Sequence, residues 1–117
     1  MIGGTKNEGD KGPASVVLSG FDPAATYSVS ILAVRFNGSA TARISEYTVA
    51  GASTSEAKTI YTGMKTWPGD DADFSPFMVS YTSVKPASNG DITVNVKAID
   101  TTLACDGHIS ALVIAKE

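Results

Sequence analysis

The chain has little of several residue types that define common protein classes, with one cysteine, one histidine and one tryptophan in 117 residues. A single cysteine excludes an intramolecular disulfide scaffold. Charged residues make up only 18% of the chain and the formal net charge is −3, which is unlike an electrostatic nucleic-acid binder. No apolar run approaches the roughly 20 residues of a membrane-spanning helix. We therefore expect no nucleic-acid partner and no membrane insertion.

The chain does contain segments in which apolar and polar residues alternate. Hydrophobic residues make up 43%, too many for a disordered chain of this low charge. In 91–99, the apolar residues Ile92, Val94, Val96 and Ala98 alternate with polar ones, as in a strand with one buried face. Similar patterns predict further strands at 14–19, 27–36, 43–49, 58–62, 77–83 and 108–115.

Turn signals separate these segments, and no stretch shows a helical period with caps. The dipeptides Asn37-Gly38, Asn89-Gly90 and Asp106-Gly107 are typical of tight turns. The sequence therefore predicts an all-β fold, an antiparallel β-sandwich of about seven to eight strands with no significant helix. We expect a polar N-terminal arm at 1–13 and one sandwich domain at 14–117.

The turn before the second predicted strand has residues typical of a defined turn structure. Pro23 fixes φ in the turn, and Tyr27 opens the strand six residues after Phe21. The Tyr27 hydroxyl can bond back to the turn, as in a tyrosine corner. We expect Phe21 to pack beneath it.

A longer pattern runs from Leu18-Ser19-Gly20-Phe21-Asp22-Pro23 and Tyr27 through Arg35, Arg43, Tyr47-Thr48-Val49-Ala50-Gly51 and Val84-Lys85-Pro86 to Asn89-Gly90-Asp91-Ile92-Thr93-Val94 and Gly107-His108-Ile109-Ser110-Ala111-Leu112-Val113-Ile114. Over residues 14–115 it resembles the jelly-roll, galactose-binding-like modules attached to bacterial extracellular polysaccharide-degrading enzymes. The resemblance implies a jelly-roll sandwich and a carbohydrate-binding role. It transfers no ligand residue.

One long irregular segment, 63–76, contains Trp67 and Phe74 and follows Tyr61. Loops of this length are often functional. The three aromatic side chains could form a platform on which a sugar ring stacks. The alternative is that Trp67 closes one end of the sandwich. In either case we expect Trp67 and Phe74 to be buried, because exposed apolar surface is costly.

The same segment carries Asp70, Asp71 and Asp73. Carboxylate oxygens are the ligands that Ca²⁺ prefers, so a structural calcium ion is one interpretation and a solvated loop is the other. We expect no other cofactor.

Two arginines flank the Asn37-Gly38 turn, namely Arg35 and Arg43. Paired guanidinium groups could hold a carboxylate or sugar hydroxyls. More often such residues pair with a carboxylate of the same chain, here Glu46 or Asp22.

The sequence offers little for catalysis. Cys105 and His108 lie three residues apart, but a Cys-His nucleophile needs hydrogen-bond contact and an orienting group. No metal or phosphate motif is present. We expect the chain not to be an enzyme.

Two functions remain open. The first is a non-catalytic carbohydrate-binding or attachment module, extracellular as part of a secreted protein. The second is a structural or decoration protein of a larger assembly such as a phage virion, in the head or tail. The polar start at 1–12 lacks the apolar segment of a signal peptide. Partners are expected through the N-terminal arm and the 63–76 loop, and a homo-oligomer is compatible with both functions.

Overall fold

A computed structural model describes residues 2–3, 14–36, 44–64, 74–99 and 107–117, with the backbone alone described at 2–3, 35–36 and 63–64. The described chain is all-β, and a single 3₁₀ turn, Ser75–Phe77, is its one helical element. The strands are β1 (Ile2–Gly3), β2 (Ala14–Leu18), β3 (Tyr27–Leu32), β4 (Arg35–Phe36), β5 (Ile44–Ala50), β6 (Lys58–Tyr61), β7 (Gly63–Met64), β8 (Met78–Val84), β9 (Ile92–Ala98), β10 (His108–Ile109) and β11 (Ala111–Lys116). No described helix is long and apolar enough to cross a membrane.

Seven of the strands form two antiparallel sheets. One has the order β2-β9-β5-β6 and the other the order β11-β3-β8. The backbone of β1 pairs antiparallel with β10, which Ser110 alone separates from β11. The second sheet therefore reads β1, β10–β11, β3, β8. Two four-stranded antiparallel sheets with connections crossing between them form a jelly roll, and the predicted fold class is confirmed.

Two local features differ from the sequence reading. The predicted strand 27–36 stops after Leu32. Ala33 still donates its N–H to the carbonyl of Phe77 at 2.9 Å, but Val34 donates its N–H to the Ser110 hydroxyl at 3.1 Å instead of to a backbone carbonyl. The backbone at 35–36 then pairs in parallel with 63–64. At the other end of the chain, the backbone of Ile2–Gly3, within the predicted polar arm, pairs with β10.

The core lies between the two sheets. It is built from the inward positions of each strand, so that alternate residues of β3, β5 and β9 are buried. Its buried members are Tyr27, Val29, Ile31, Ala33, Tyr47, Val49, Ile60, Tyr81, Ile92, Val94, Val96 and Ile109. Because the alternation is regular, the remaining positions of the same strands form two outward faces.

The tyrosine corner predicted before β3 is confirmed. The backbone N–H of Asp22 donates to the Tyr27 hydroxyl at 3.0 Å. Asp22 Oδ1 accepts the N–H of Ala24 at 2.9 Å, which closes the turn around Pro23. The rings of Phe21 and Tyr27 meet edge to face with centroids 5.0 Å apart, so Phe21 packs against the corner as expected.

Truncating this tyrosine separates its two contributions. Tyr27→Phe removes one hydrogen bond and should lower the free energy of unfolding by about 1 kcal/mol. Tyr27→Ala also leaves a cavity beside Phe21 and should cost about 3 kcal/mol or more. Urea unfolding of both variants measures the difference. Equal, negligible losses would contradict the corner assignment.

Two buried tyrosines tie the sheets together. Tyr47 on β5 donates its hydroxyl to the backbone carbonyl of His108 at 2.5 Å, and β10 belongs to the opposite sheet. Tyr81 on β8 donates in the other direction, to the carbonyl of Tyr47 at 2.9 Å. Burial raises the pKa of Tyr47 far above its ordinary value, with a hydrogen bond from Ser45 opposing the shift. Burial also raises the pKa of Tyr81.

These shifts predict an alkaline loss of stability. A phenol with a higher pKa in the folded state keeps its proton more tightly there, so its contribution is complete below about pH 10 and declines as the pH rises beyond that. Urea unfolding from neutral to strongly alkaline pH measures the decline. Tyr47→Phe together with Tyr81→Phe should flatten it, whereas Tyr61→Phe, at an exposed position, should not. An identical pH slope in all three proteins would contradict the assignment.

Candidate functional site

The outward face of the β2-β9-β5-β6 sheet gathers polar side chains in two adjacent rows. Ser15 lies opposite Asn95, and Asn95 lies opposite Thr48. In the next row Lys97 lies opposite Glu46, and Glu46 lies opposite Thr59. The residues between them along each strand are buried core positions, so all six point away from the core. We call this set, Ser15, Glu46, Thr48, Thr59, Asn95 and Lys97, the polar face.

The first row is ordered by its own hydrogen bonds. Asn95 Oδ1 accepts from the Ser15 hydroxyl at 2.6 Å, and Asn95 Nδ2 donates to Thr48 Oγ1 at 3.3 Å. These bonds fix the orientation of the amide. One N–H of Asn95 and the O–H of Thr48 are not used in them and can donate to a ligand. The row is therefore a preformed set of hydrogen-bonding groups.

The second row contributes charge without a net excess of either sign. Lys97 Nζ lies 3.5 Å from Glu46 Oε1, and the two side chains are 49% and 29% exposed. A pair this exposed adds little to stability. It does present carboxylate acceptors and ammonium donors side by side. Together with Thr48, Asn95 and Val96, the pair lines a groove of about 230 Å³.

Exposed apolar side chains lie at both ends of the polar face. Tyr61 on β6 is opposite Ile44, one outward position along β5 from Glu46, which is roughly 7 Å along the strand. The Tyr61 side chain is 63% exposed. Val17 on β2, one outward position from Ser15, is 59% exposed. The groove thus has a single exposed aromatic ring within reach among the described residues.

Of the aromatic residues predicted to form a platform, two can be placed. Tyr61 lies at the end of the polar face. Phe74 is half-buried at the start of the 3₁₀ turn, with its ring centroid 6.3 Å from that of Phe77. Trp67 lies outside the described residues, and so the expected burial of Trp67 stays a prediction.

The charged residues singled out from the sequence lie mostly beyond what the structure describes. Asp70, Asp71 and Asp73, the predicted calcium ligands, are outside the described residues, as is Arg43. At Arg35 the backbone alone is described. Both acidic residues proposed as arginine partners contact lysines, with Glu46 next to Lys97 and Asp22 Oδ2 3.9 Å from Lys116 Nζ.

The residues considered for catalysis and metal binding can be placed only in part. Cys105 lies outside it. His108 is 4% exposed, and its Nε2 lies 3.1 Å from the Ser110 hydroxyl. Within the described ranges, no three His, Cys, Asp or Glu residues converge as a metal site would require.

A second cavity, of about 180 Å³, lies where β5 and β8 approach each other at the edge of the sandwich. Ser55 lines it, but its hydroxyl accepts the N–H of Val49 at 2.8 Å and donates to the carbonyl of Glu56 at 3.0 Å. Ser83 also lines it, and its N–H donates to both carboxylate oxygens of Glu117, at 3.1 and 3.0 Å. These polar groups serve the fold, which leaves the polar face as the better site.

Sequence reasoning missed most of this site. The alternation in 91–99 predicts that its polar residues lie on the solvent side of a strand, and the sequence offers Glu46 as a partner for arginine. A signal was available, since threonine, asparagine, lysine and glutamate occupy the outward positions of two strands. These strands are neighbours because the sheet has the order β2-β9-β5-β6. The alternation within each strand does not reveal that order.

Comparison with protein-family models, with curated proteins and with solved structures finds no significant match for this chain. The resemblance to galactose-binding-like modules therefore stays a prediction from the sequence, and the functional argument depends on the polar face itself.

Proposed function

We propose that this protein is a non-catalytic carbohydrate-binding module that holds a neutral polysaccharide on the polar face. The observation that carries the proposal is the preformed row Ser15–Asn95–Thr48 beside the Glu46–Lys97 pair, on one outward face and next to a groove. A jelly roll hosts lectin domains among many others, but fold alone does not assign function. The side chains supply the argument.

The chemistry suits a chain of sugar hydroxyls. Each hydroxyl both donates and accepts, and the polar face offers Asn95 and Lys97 as donors, Glu46 as an acceptor and Thr48 as either. These groups repeat at about 4.8 Å across the strands and about 7 Å along them. A ligand lying across the sheet can therefore engage several of them at once.

Charge and shape favour a neutral glycan over an acidic one. The Glu46–Lys97 pair leaves the polar face with no net charge, so an acidic polymer gains nothing from it overall. The groove is open rather than enclosed, as a polymer running past the site requires. Tyr61, exposed at the end of the face, offers an aromatic surface on which a sugar ring can pack.

Variants on the polar face test the proposal. Binding of a panel of soluble neutral polysaccharides is measured by calorimetry, with an acidic polysaccharide for comparison. For any neutral polysaccharide that binds, Asn95→Ala and Thr48→Val should each weaken binding by roughly fivefold to tenfold, the loss of one or more hydrogen bonds. Tyr61→Ala should weaken it similarly.

Thr82→Val is the matched control, since it makes the same change as Thr48→Val on the outward face of the other sheet. It should leave binding unchanged. Equal losses in Thr48→Val and Thr82→Val would contradict the placement of the site. Failure of every neutral polysaccharide to bind would contradict the function.

A second candidate is a structural role in a larger assembly, favoured by the outward face of the β11-β3-β8 sheet. The described outward residues of that sheet carry no charge; they are Ser28, Ser30, Leu32, Met78, Ser80, Thr82, Ala111, Val113 and Ala115. Protein interfaces are depleted in charged residues at their centre. Under this alternative, no glycan binds and Val113→Lys or Ser30→Glu disrupts assembly, whereas Thr48→Val does not.

A further inference from the structure

Strand β8 has the sequence of a strand that associates readily with others. Met78–Val84 reads Met-Val-Ser-Tyr-Thr-Ser-Val, with no charge, no proline and no glycine. Segments of this kind are an aggregation hazard when they lie at a sheet edge. Among the described residues, β8 pairs with β3 alone and is the last strand of its sheet.

The hydrogen-bond alternation shows which groups of β8 face the open edge. Ala33 donates its N–H to the carbonyl of Phe77 at 2.9 Å, so these two form a hydrogen-bonded pair. In an antiparallel ladder such pairs alternate with pairs whose polar groups point away from each other. Three positions along, Ser30 and Ser80 are opposite and belong to the second kind. The N–H and C=O of Ser80 therefore point toward the edge.

Lys58 reaches this edge from the other sheet. It lies at the start of β6, on the same side of the strand as the buried Ile60. Its Nζ donates to the carbonyl oxygen of Ser80 at 2.6 Å and lies 4.8 Å from the centroid of the Tyr81 ring. A cation over an aromatic ring is held electrostatically. One lysine thus covers the middle of the open edge and places a charge there.

We propose that Lys58 holds the edge of β8 closed against antiparallel pairing with β8 of a second copy of this chain. A second copy is the fitting occupant because two uncharged strands can lie antiparallel with no like charges opposite each other. Centred on Ser80, such a pair sets Met78 opposite Thr82 and uses five residues of each strand.

The structure also limits this pairing at the C-terminal end of β8. At the far end Ser83 takes a positive φ of 56°, in a register shift of the β3–β8 ladder. Such a bulge bends the strand out of plane. Lys58 therefore acts at the centre of the flat stretch, where a single charged group opposes pairing most.

Removing the charge should open the edge. Lys58→Met keeps the length of the side chain and is expected to tighten self-association by roughly tenfold or more, measured by sedimentation equilibrium of the full chain. Lys97→Met removes the same charge from an outward face and should sediment like the parent protein. Association in the Lys97→Met variant to the same degree would overturn the proposal, since general loss of charge would then be the cause.

A double variant separates edge pairing from aggregation of a destabilised chain. Ser80→Pro removes an N–H that points to the edge, which an edge strand tolerates, and so blocks a second strand. Lys58→Met with Ser80→Pro should return to the parent's sedimentation behaviour. Persistent or greater association in the double variant, or no association in Lys58→Met itself, would overturn the proposal. Neither result bears on glycan binding by the polar face, which lies on the other sheet.

Discussion

Gly51→Ala is expected to lower the free energy of unfolding by about 3 kcal/mol or more, because there is no room for a methyl group at this position. A Cβ on Gly51 would lie 2.1 Å from the backbone oxygen of Lys85 and 3.2 Å from the Cα of Pro86. That oxygen already accepts the N–H of Ala52 at 2.8 Å. Pro86 is fully buried, so the backbone facing Gly51 cannot move away cheaply. Chemical denaturation of the variant measures the loss.

Gly20→Ala is the matched control, since the space around Gly20 is open and its φ is +91°. Alanine there meets backbone strain alone, at a cost of about 1–2 kcal/mol. The two losses should therefore differ clearly. A Gly51→Ala variant as stable as Gly20→Ala would show that the connections after β5 and β8 do not approach as closely as described.

Tyr47→Ala should be the most damaging side-chain truncation in the core, at about 4 kcal/mol or more. The side chain is fully buried and carries the hydrogen bond that joins β5 to the carbonyl of His108 across the sandwich. A typical domain has about 5–15 kcal/mol of stability in total. The variant is therefore expected to unfold at markedly lower temperature and denaturant concentration.

Two other substitutions calibrate that result. Tyr47→Phe keeps the ring and loses one hydrogen bond, and should cost about 1 kcal/mol. Tyr61→Ala makes the same truncation at an exposed position and should change stability by less than about 0.5 kcal/mol. Comparable losses in Tyr47→Ala and Tyr61→Ala would contradict the position of Tyr47 between the sheets.

The fold could be predicted from the sequence where one strand carries its own signal. The alternation of 91–99 marks β9 within a residue at each end, and the Phe21–Tyr27 segment identifies the corner from local chemistry. The pairing at Ile2–Gly3 could not be predicted, since two residues show no alternation and their partner is more than 100 positions away. The break after Leu32 involves Ser110, which is 76 positions from Val34 along the chain.

The candidate site was less predictable, for a physical reason. A single sequence singles out residues that are rare or clustered, such as Trp67 and the neighbouring aspartates. The polar face consists of common residues that each look like the solvated side of a strand. Asn95 becomes distinctive once Ser15 and Thr48 lie on either side of it. Those neighbours follow from strand order, which long-range packing determines rather than local pattern.

Amide chemical-shift mapping is the most direct test of glycan binding by the polar face. The full chain, labelled with ¹⁵N, is titrated with the neutral polysaccharides of the binding panel. We expect the shifted amides to cluster at Ser15, Glu46, Thr48, Asn95 and Lys97, with Tyr61 at the margin, and those of β8 and β11 to be unaffected. Shifts confined to the β11-β3-β8 sheet, or no shifts with any polysaccharide of the panel, would contradict glycan binding by the polar face.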